Sequence, residues 1–262
     1  MKLMQPTQPI QTIQNTQIMQ TTTHEERFYR GLSQPSDLHC FEVKLKETDL
    51  FCCTSSDVRK LIEERVVHYR HQLERYIEHR PDFLHSLVPL GADPFAPNIV
   101  KQMIAASASV GVGPMACVAG AVAEFVGRDI EPVCEEYIIE NGGDIQLRTN
   151  KERLVLIYAK ESPFSNRLGI RLKPRDSAYG VCTSSGTVGP SLSFGKADAV
   201  CIVAASALFA DGLATRVGNM VAKPEDIQGA LEAGKTYGEV MGILIILGDK
   251  LGVWGDLDLV KV

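Results

Sequence analysis

No histidine follows His85 in this chain of 262 residues, so everything beyond that point lacks an imidazole for general-base work. The seven cysteines, at 40, 52, 53, 117, 134, 182 and 201, form no C-x-x-C pair. An odd count with no secretory opening favours free thiols in a reducing cytoplasm over a disulfide framework. Excess basic charge is missing too: the formal net charge is −5, which argues against a general nucleic-acid binder. Long apolar runs are scarce. Met103 to Ala123 carries no charge, but it is rich in Ala, Ser and Gly and is interrupted by Gly111-Val-Gly113-Pro114. It reads as two buried helices, and Met241 to Leu247 is too short to span a membrane.

What is present is an ordinary globular composition, 45% hydrophobic and 23% charged. Residues 1–23 stand apart: glutamine recurs at 5, 8, 11, 14, 17 and 20, and only Lys2 is charged. Such a segment cannot bury enough apolar surface to offset its ordering entropy, and we expect a disordered tail followed by a single domain over 24–262. Within that domain, 41–45 and 50–54 predict a strand pair. Ser55 or Ser56 would cap a helix whose apolar positions include Val58, Leu61, Ile62, Val66, Tyr69 and Leu73, ended by Pro81. Helical blocks are expected over 98–109 and 115–126, the second opened by Pro114. Strand character then dominates, with Asn141-Gly142-Gly143-Asp144 as a hairpin turn. Helices over 208–221 and 224–235 sit between the late strands at 198–203, 240–248 and 257–262. The pattern is α+β, with mixed or antiparallel sheets and packed helices.

The run Asp211-Gly-Leu-Ala-Thr215 carries the sharpest chemical signal. A carboxylate and a hydroxyl four residues apart share a helix face. Mg²⁺ usually takes one or two protein carboxylates together with substrate phosphates, so this pair suits a metal seat for phosphate chemistry. The competing reading is an aspartate that merely caps a helix.

Four runs, taken in order, resemble the ApbE superfamily: Gly113-Pro-Met-Ala116, Asn141-Gly-Gly-Asp144, Thr183-Ser-Ser-Gly-Thr187 and Asp211-x-x-x-Thr215. The resemblance covers about residues 105–220. Longer runs, Glu161-Ser-Pro-Phe-Ser-Asn166 and Leu192-Ser-Phe-Gly-Lys-Ala-Asp198 among them, are most similar to an uncharacterised ApbE-like family of archaea and anaerobic bacteria. The superfamily includes flavin transferases that use Mg²⁺ and FAD to attach FMN to a threonine of a target protein. The resemblance implies a metal on Asp211, Thr215 and the carbonyl of Ala116. It implies a flavin or phosphate ligand near Gly142, Gly143, Asp144, Thr183, Ser184, Ser185, Gly186 and Thr187. Asn166 and Arg167 are a further anion-binding candidate.

Two departures alter the expected chemistry. Cys117 stands where the flavin transferases carry lysine, and Pro190 where close relatives would carry histidine. With no imidazole nearby, a carboxylate such as Asp211 or Asp198 would take the proton of an attacking hydroxyl. Cys117 would lie at a helix N-terminus, which can favour thiolate, and Cys182 precedes the hydroxyl-rich run. Asp211, Cys182 and Cys117 are therefore the catalytic candidates. The readings are Mg²⁺-dependent FMN-transferase-type chemistry, an accessory cysteine-using step of sulfur assimilation and homocysteine formation in anaerobes, and a non-catalytic flavin or nucleotide binder. Expected partners are a small flavin or phosphate ligand and a protein substrate. No nucleic acid or membrane is expected, and a homo-oligomer stays open.

Overall fold

The computed structural model describes residues 35–185 and 195–262, which form three layers. The central layer is an eight-stranded sheet in the order β1-β2-β3-β4-β7-β8-β9-β10. Its strands are β1 (His39–Leu45), β2 (Thr48–Thr54), β3 (Tyr137–Asn141), β4 (Asp144–Arg148), β7 (Tyr179–Ser184), β8 (Ala199–Ala204), β9 (Val240–Leu247) and β10 (Lys250–Gly255). Every described pairing is antiparallel. One face is covered by a three-stranded sheet, β11-β6-β5, made by β5 (Arg153–Leu156), β6 (Leu168–Leu172) and β11 (Asp258–Lys261). The other face is covered by helices: α1 (Arg59–His79), α2 (Asp82–His85), α3 (Asn98–Val110), α4 (Val118–Ile130), α5 (Ala207–Gly218) and α6 (Asp226–Gly234).

The layering follows from residue pattern. Strand β8 reads Ala-Val-Cys-Ile-Val-Ala and is buried throughout, as a strand covered on both faces must be. Its Ala199, Cys201 and Val203 pack toward β6 with Ile170 and Leu172, while Val200, Ile202 and Ala204 pack toward α5. The tail over 1–23 lies outside the described residues. Among the described residues no single helix is long and apolar enough to cross a membrane. The charge-free run from Met103 is divided between α3 and a segment bent 102° from it.

Four sequence expectations change. Cys40 and Cys53 form a disulfide rather than two free thiols. They face each other across the β1–β2 register, a pairing no spacing rule reveals. The remaining five cysteines are free and buried. Helix α1 begins at Arg59 with Val58 at its N-cap position, so neither Ser55 nor Ser56 caps it. Pro114 opens a 3₁₀ turn, Pro114–Cys117, and the α-helix proper starts at Val118. Finally, β10 was not expected, because Gly252 and Gly255 dilute its strand signal. The turn Gly248-Asp249 creates it, with Gly248 at φ 58° and Leu247 paired to Lys250.

Candidate functional site

Asp211 lies in the second turn of α5, so it does not cap its own helix. That cap is Ser206, whose Oγ accepts from Phe209 N at 3.1 Å. Instead Asp211 reaches across to α4, where Oδ2 accepts from Gly120 N at 2.9 Å, with the Ala119 amide adding to it. The capping reading is thereby corrected: Asp211 caps a neighbouring helix and not its own. Glycine at 120 permits this approach. A Cβ there would stand 2.3 Å from Ala207 O and 2.8 Å from the Asp211 Cβ.

The same crossing is sealed reciprocally by Glu124 of α4, which is 1% exposed. Its Oε2 accepts from Ser206 Oγ at 2.6 Å and Leu208 N at 2.9 Å, at the start of α5. Arg128, one turn on, pairs with its other oxygen. Each helix thereby supplies a carboxylate to the other's N-terminus, where free amides and the helix dipole favour negative charge. Sequence reasoning missed Glu124. Its only signal is an acidic residue inside an otherwise apolar helix, Val118-Ala-Gly-Ala-Val-Ala-Glu-Phe-Val.

The hairpin Asn141-Gly142-Gly143-Asp144 closes the junction from the sheet side. Gly142 and Gly143 sit at φ 70° and 101°, a turn that only glycine adopts easily. Nothing lies within 4 Å of a Cβ built on Gly143, so backbone conformation, not crowding, demands glycine there. Asn141 Nδ2 donates to Ala119 O at 3.1 Å, which ties the hairpin to the start of α4. Side-chain alternation puts Asp144 and Gln146 on the helix-facing side of β4. Gln146 Oε1 accepts from Ala207 N at 3.1 Å, while Asp144 stands opposite Cys182 in the β4–β7 register. Asp144 is 8% exposed, and its Oδ1 is a buried oxygen without a hydrogen-bond partner.

Burial pushes the Asp211 carboxyl up to about 7. Asp144 is also held well above the usual carboxylate range, by burial first and then by the charges of Asp211 and Glu140. Among the described residues no lysine, arginine or histidine offsets either group. The thiols follow the acids, contrary to the expectation of thiolates. Cys117 is fully buried, and burial plus Asp211 and Asp144 raise it strongly against the small opposing effect of the Gly212 amide. Cys182 is raised by burial, Asp144 and Asp211, and its Sγ lies 3.2 Å from Ala207 O. A helix N-terminus lowers a thiol only where the neighbouring charge is not negative.

The other sequence candidates divide. Cys117 backs directly onto Gly212, where a Cβ would meet its Sγ at 2.7 Å, so the 3₁₀ turn holding Ala116 runs along the Asp211 turn of α5. Thr215 lies one turn further along α5 and is half-buried. Ser184 faces α5, with its Oγ 3.6 Å from the Cβ position of Gly218. Thr183 alternates to the opposite face, where its side chain meets Cys201; only its backbone amide reaches Asp144. Ser185 follows β7 and is half-buried. Gly186, Thr187 and Pro190 lie outside the described residues. Asp198 accepts from Gly248 N at 2.7 Å and pins the β9–β10 turn, which removes it from the junction. Asn166 sits in the β5–β6 connection with φ 55°, on the side of the small sheet. Among the described residues no three His, Cys, Asp or Glu side chains form a metal cage.

The chain matches known proteins in sequence and in fold. The family model described as AbpE bacteria matches residues 31–250. A UPF0280 protein of Methanocaldococcus jannaschii is 42% identical over 208 residues, covering 77% of this chain and 84% of that protein. A UPF0280 protein of Methanococcus aeolicus is 38% identical over 222 residues, covering 82% and 90%. Among solved structures, the apo form of the Pseudomonas stutzeri flavinyl transferase ApbE aligns with a TM-score of 0.54 at 12% identity, covering 83% of this chain and 93% of that one. The ApbE protein of Thermotoga maritima gives 0.54 at 12%, covering 82% and 96%. At such identities the structural matches speak for the fold, and the sequence matches speak for kinship: this chain belongs to the ApbE-like family that the AbpE bacteria model and the archaeal UPF0280 proteins define.

Proposed function

We propose that this protein is a divalent-cation-dependent flavin transferase of the ApbE type, which takes FMN from FAD and places it on a hydroxyl of a protein acceptor. The observation that carries the reading is the acidic junction of α4, α5 and the β3–β4 hairpin. Two carboxylates with no basic partner meet there beside helix amides, and Asp211 keeps part of its surface open. A hard cation fits that donor set: Asp211, the Thr215 hydroxyl and the Ala116 carbonyl are all oxygen donors. A seat without a full protein cage suits an ion that keeps phosphate oxygens as ligands. When bound, such a cation neutralises pyrophosphate charge and stabilises the transferring phosphoryl group.

The chain's own residues do the rest. The hydroxyl of Ser184, on the α5 side of β7, orients phosphate oxygens. The acceptor hydroxyl attacks the phosphorus of the FMN half, the bond to the AMP phosphate breaks, and AMP leaves. The hydroxyl proton passes to a carboxylate of the junction, because no imidazole lies in this part of the chain. Both buried thiols are held protonated, which argues against the sulfur-carrying alternative. The test is incubation with FAD, Mg²⁺ and a threonine-containing acceptor peptide. The peptide should gain the mass of FMN and AMP should appear in equal amount. Retention of FAD with no transfer would leave a flavin-binding protein instead.

A further inference from the structure

Four buried side-chain nitrogen or oxygen atoms among the described residues lack a hydrogen-bond partner: Arg65 Nε, Arg70 Nε, Asn166 Oδ1 and Asp144 Oδ1. Both arginines ion-pair through other nitrogens. Asp144 is the one acid in the set, and a buried polar atom left without its hydrogen bond is costly to the fold. Its neighbours on the sheet show that the vacancy is specific. Asn141, its partner across the hairpin, is bonded to Ala119 O, and Gln146, next on the same face, to Ala207 N. Cys182, opposite in register, lies against Ala207 O. Of Asn141, Gln146, Cys182 and Asp144, Asp144 alone is left with a free buried oxygen; the charge of Asp211 reaches it, and its own charge reaches Cys117 and Cys182.

We infer that Asp144 is a second protein ligand of the cation at this junction, its free Oδ1 facing the same ion as Asp211. The inference rests on the cation seat proposed above and deepens it. The seat then spans two elements that are far apart in sequence, the hairpin turn and α5, and cation binding ties the sheet to the helix layer. Two carboxylates are the upper number that Mg²⁺ usually takes from a protein, which leaves its remaining positions to phosphate and water. The donors so assigned are all oxygens, so the site favours Mg²⁺ or Mn²⁺ over soft metals.

Mn²⁺ binding to the full chain, followed by electron paramagnetic resonance without flavin, tests this. Asp144→Asn should weaken Mn²⁺ by roughly tenfold or more, as should Asp211→Asn, while the metal-free Asp144→Asn protein melts no lower than the original. If Asp211→Asn loses Mn²⁺ and Asp144→Asn keeps it, the inference falls and the seat stands. If both variants bind like the original, the seat falls and takes the inference with it. Should Asp144→Asn fail to fold, the original chain carrying carboxyl-labelled aspartate decides by hyperfine coupling: two carboxylates on Mn²⁺ support the inference, and one overturns it.

Discussion

Glu124 and Asp144 are carboxylates sealed into neighbouring parts of one helix–sheet interface, 1% and 8% exposed. Glu124 receives a serine hydroxyl, a helix amide and an arginine, so both of its oxygens are used. Asp144 keeps one oxygen unused and faces Asp211, another acid. A fully satisfied buried charge holds architecture, whereas an unsatisfied one raises the energy of the resting protein unless a ligand arrives. The α4–α5 crossing holds Glu124 at one end and Asp211 at the other, where Asp211 meets Gly120 of α4 and Glu124 meets Ser206 before α5. Its Glu124 end is a structural lock, and its Asp211 end is the one proposed above to take a cation.

That contrast can be broken from either side. Glu124→Ala should have the largest effect, about 3 kcal/mol lost in denaturant unfolding. It strands Leu208 N and the Ser206 hydroxyl and leaves a cavity. An unchanged midpoint would mean that Glu124 is no lock. Gly120→Ala comes next, at about 2 kcal/mol, because its Cβ would press on Ala207 O and the helices must part. It should also weaken Mn²⁺ binding by displacing Asp211, whereas Glu124→Ala acts chiefly on stability. Equal binding by Gly120→Ala and the original chain would show that the two ends are independent.

The open end also has a pH signature. Asp211 is raised from 3.8 to about 7, so its contribution to stability is complete below the unfolded value and is lost as pH rises toward about 7. Thermal stability of the metal-free chain should therefore decline across that window. Asp211→Asn should lessen the decline, leaving the part that the buried Asp144 carries, and saturating Mg²⁺ should reverse it. A flat profile in the original chain would contradict the burial assigned to this carboxyl. The smallest effect belongs to Thr183→Val, under about 1 kcal/mol in melting and no change in Mn²⁺ affinity. The hydroxyl of Thr183 faces Cys201, away from the junction. A loss of binding there would place Thr183 in the site.

Much of the layered fold is readable from residue order. The alternation in β1, the doubly buried run in β8 and the Asn-Gly-Gly-Asp hairpin are local patterns with local causes. The four motifs are likewise contiguous runs that can be read one by one. What they do not announce is direction. Thr183 and Ser184 are adjacent in a hydroxyl-rich run, and strand alternation sends them to opposite faces. Cys117 has the sequence of a helix-start thiol, but Asp211 and Asp144 arrive from distant segments and set its protonation the other way. Cys40 and Cys53 pair only because two strands are in register.

The sequence by itself determined periodicity, turn chemistry and kinship, since these depend on neighbours a few residues apart. Tertiary structure alone decided that Asp211 caps a foreign helix, that Glu124 answers it, and that Asp144 keeps an oxygen free. Hydrogen-bond satisfaction and desolvation are properties of the packed interface, and segments about 90 residues apart in the chain, Gly120 and Asp211 among them, meet only there.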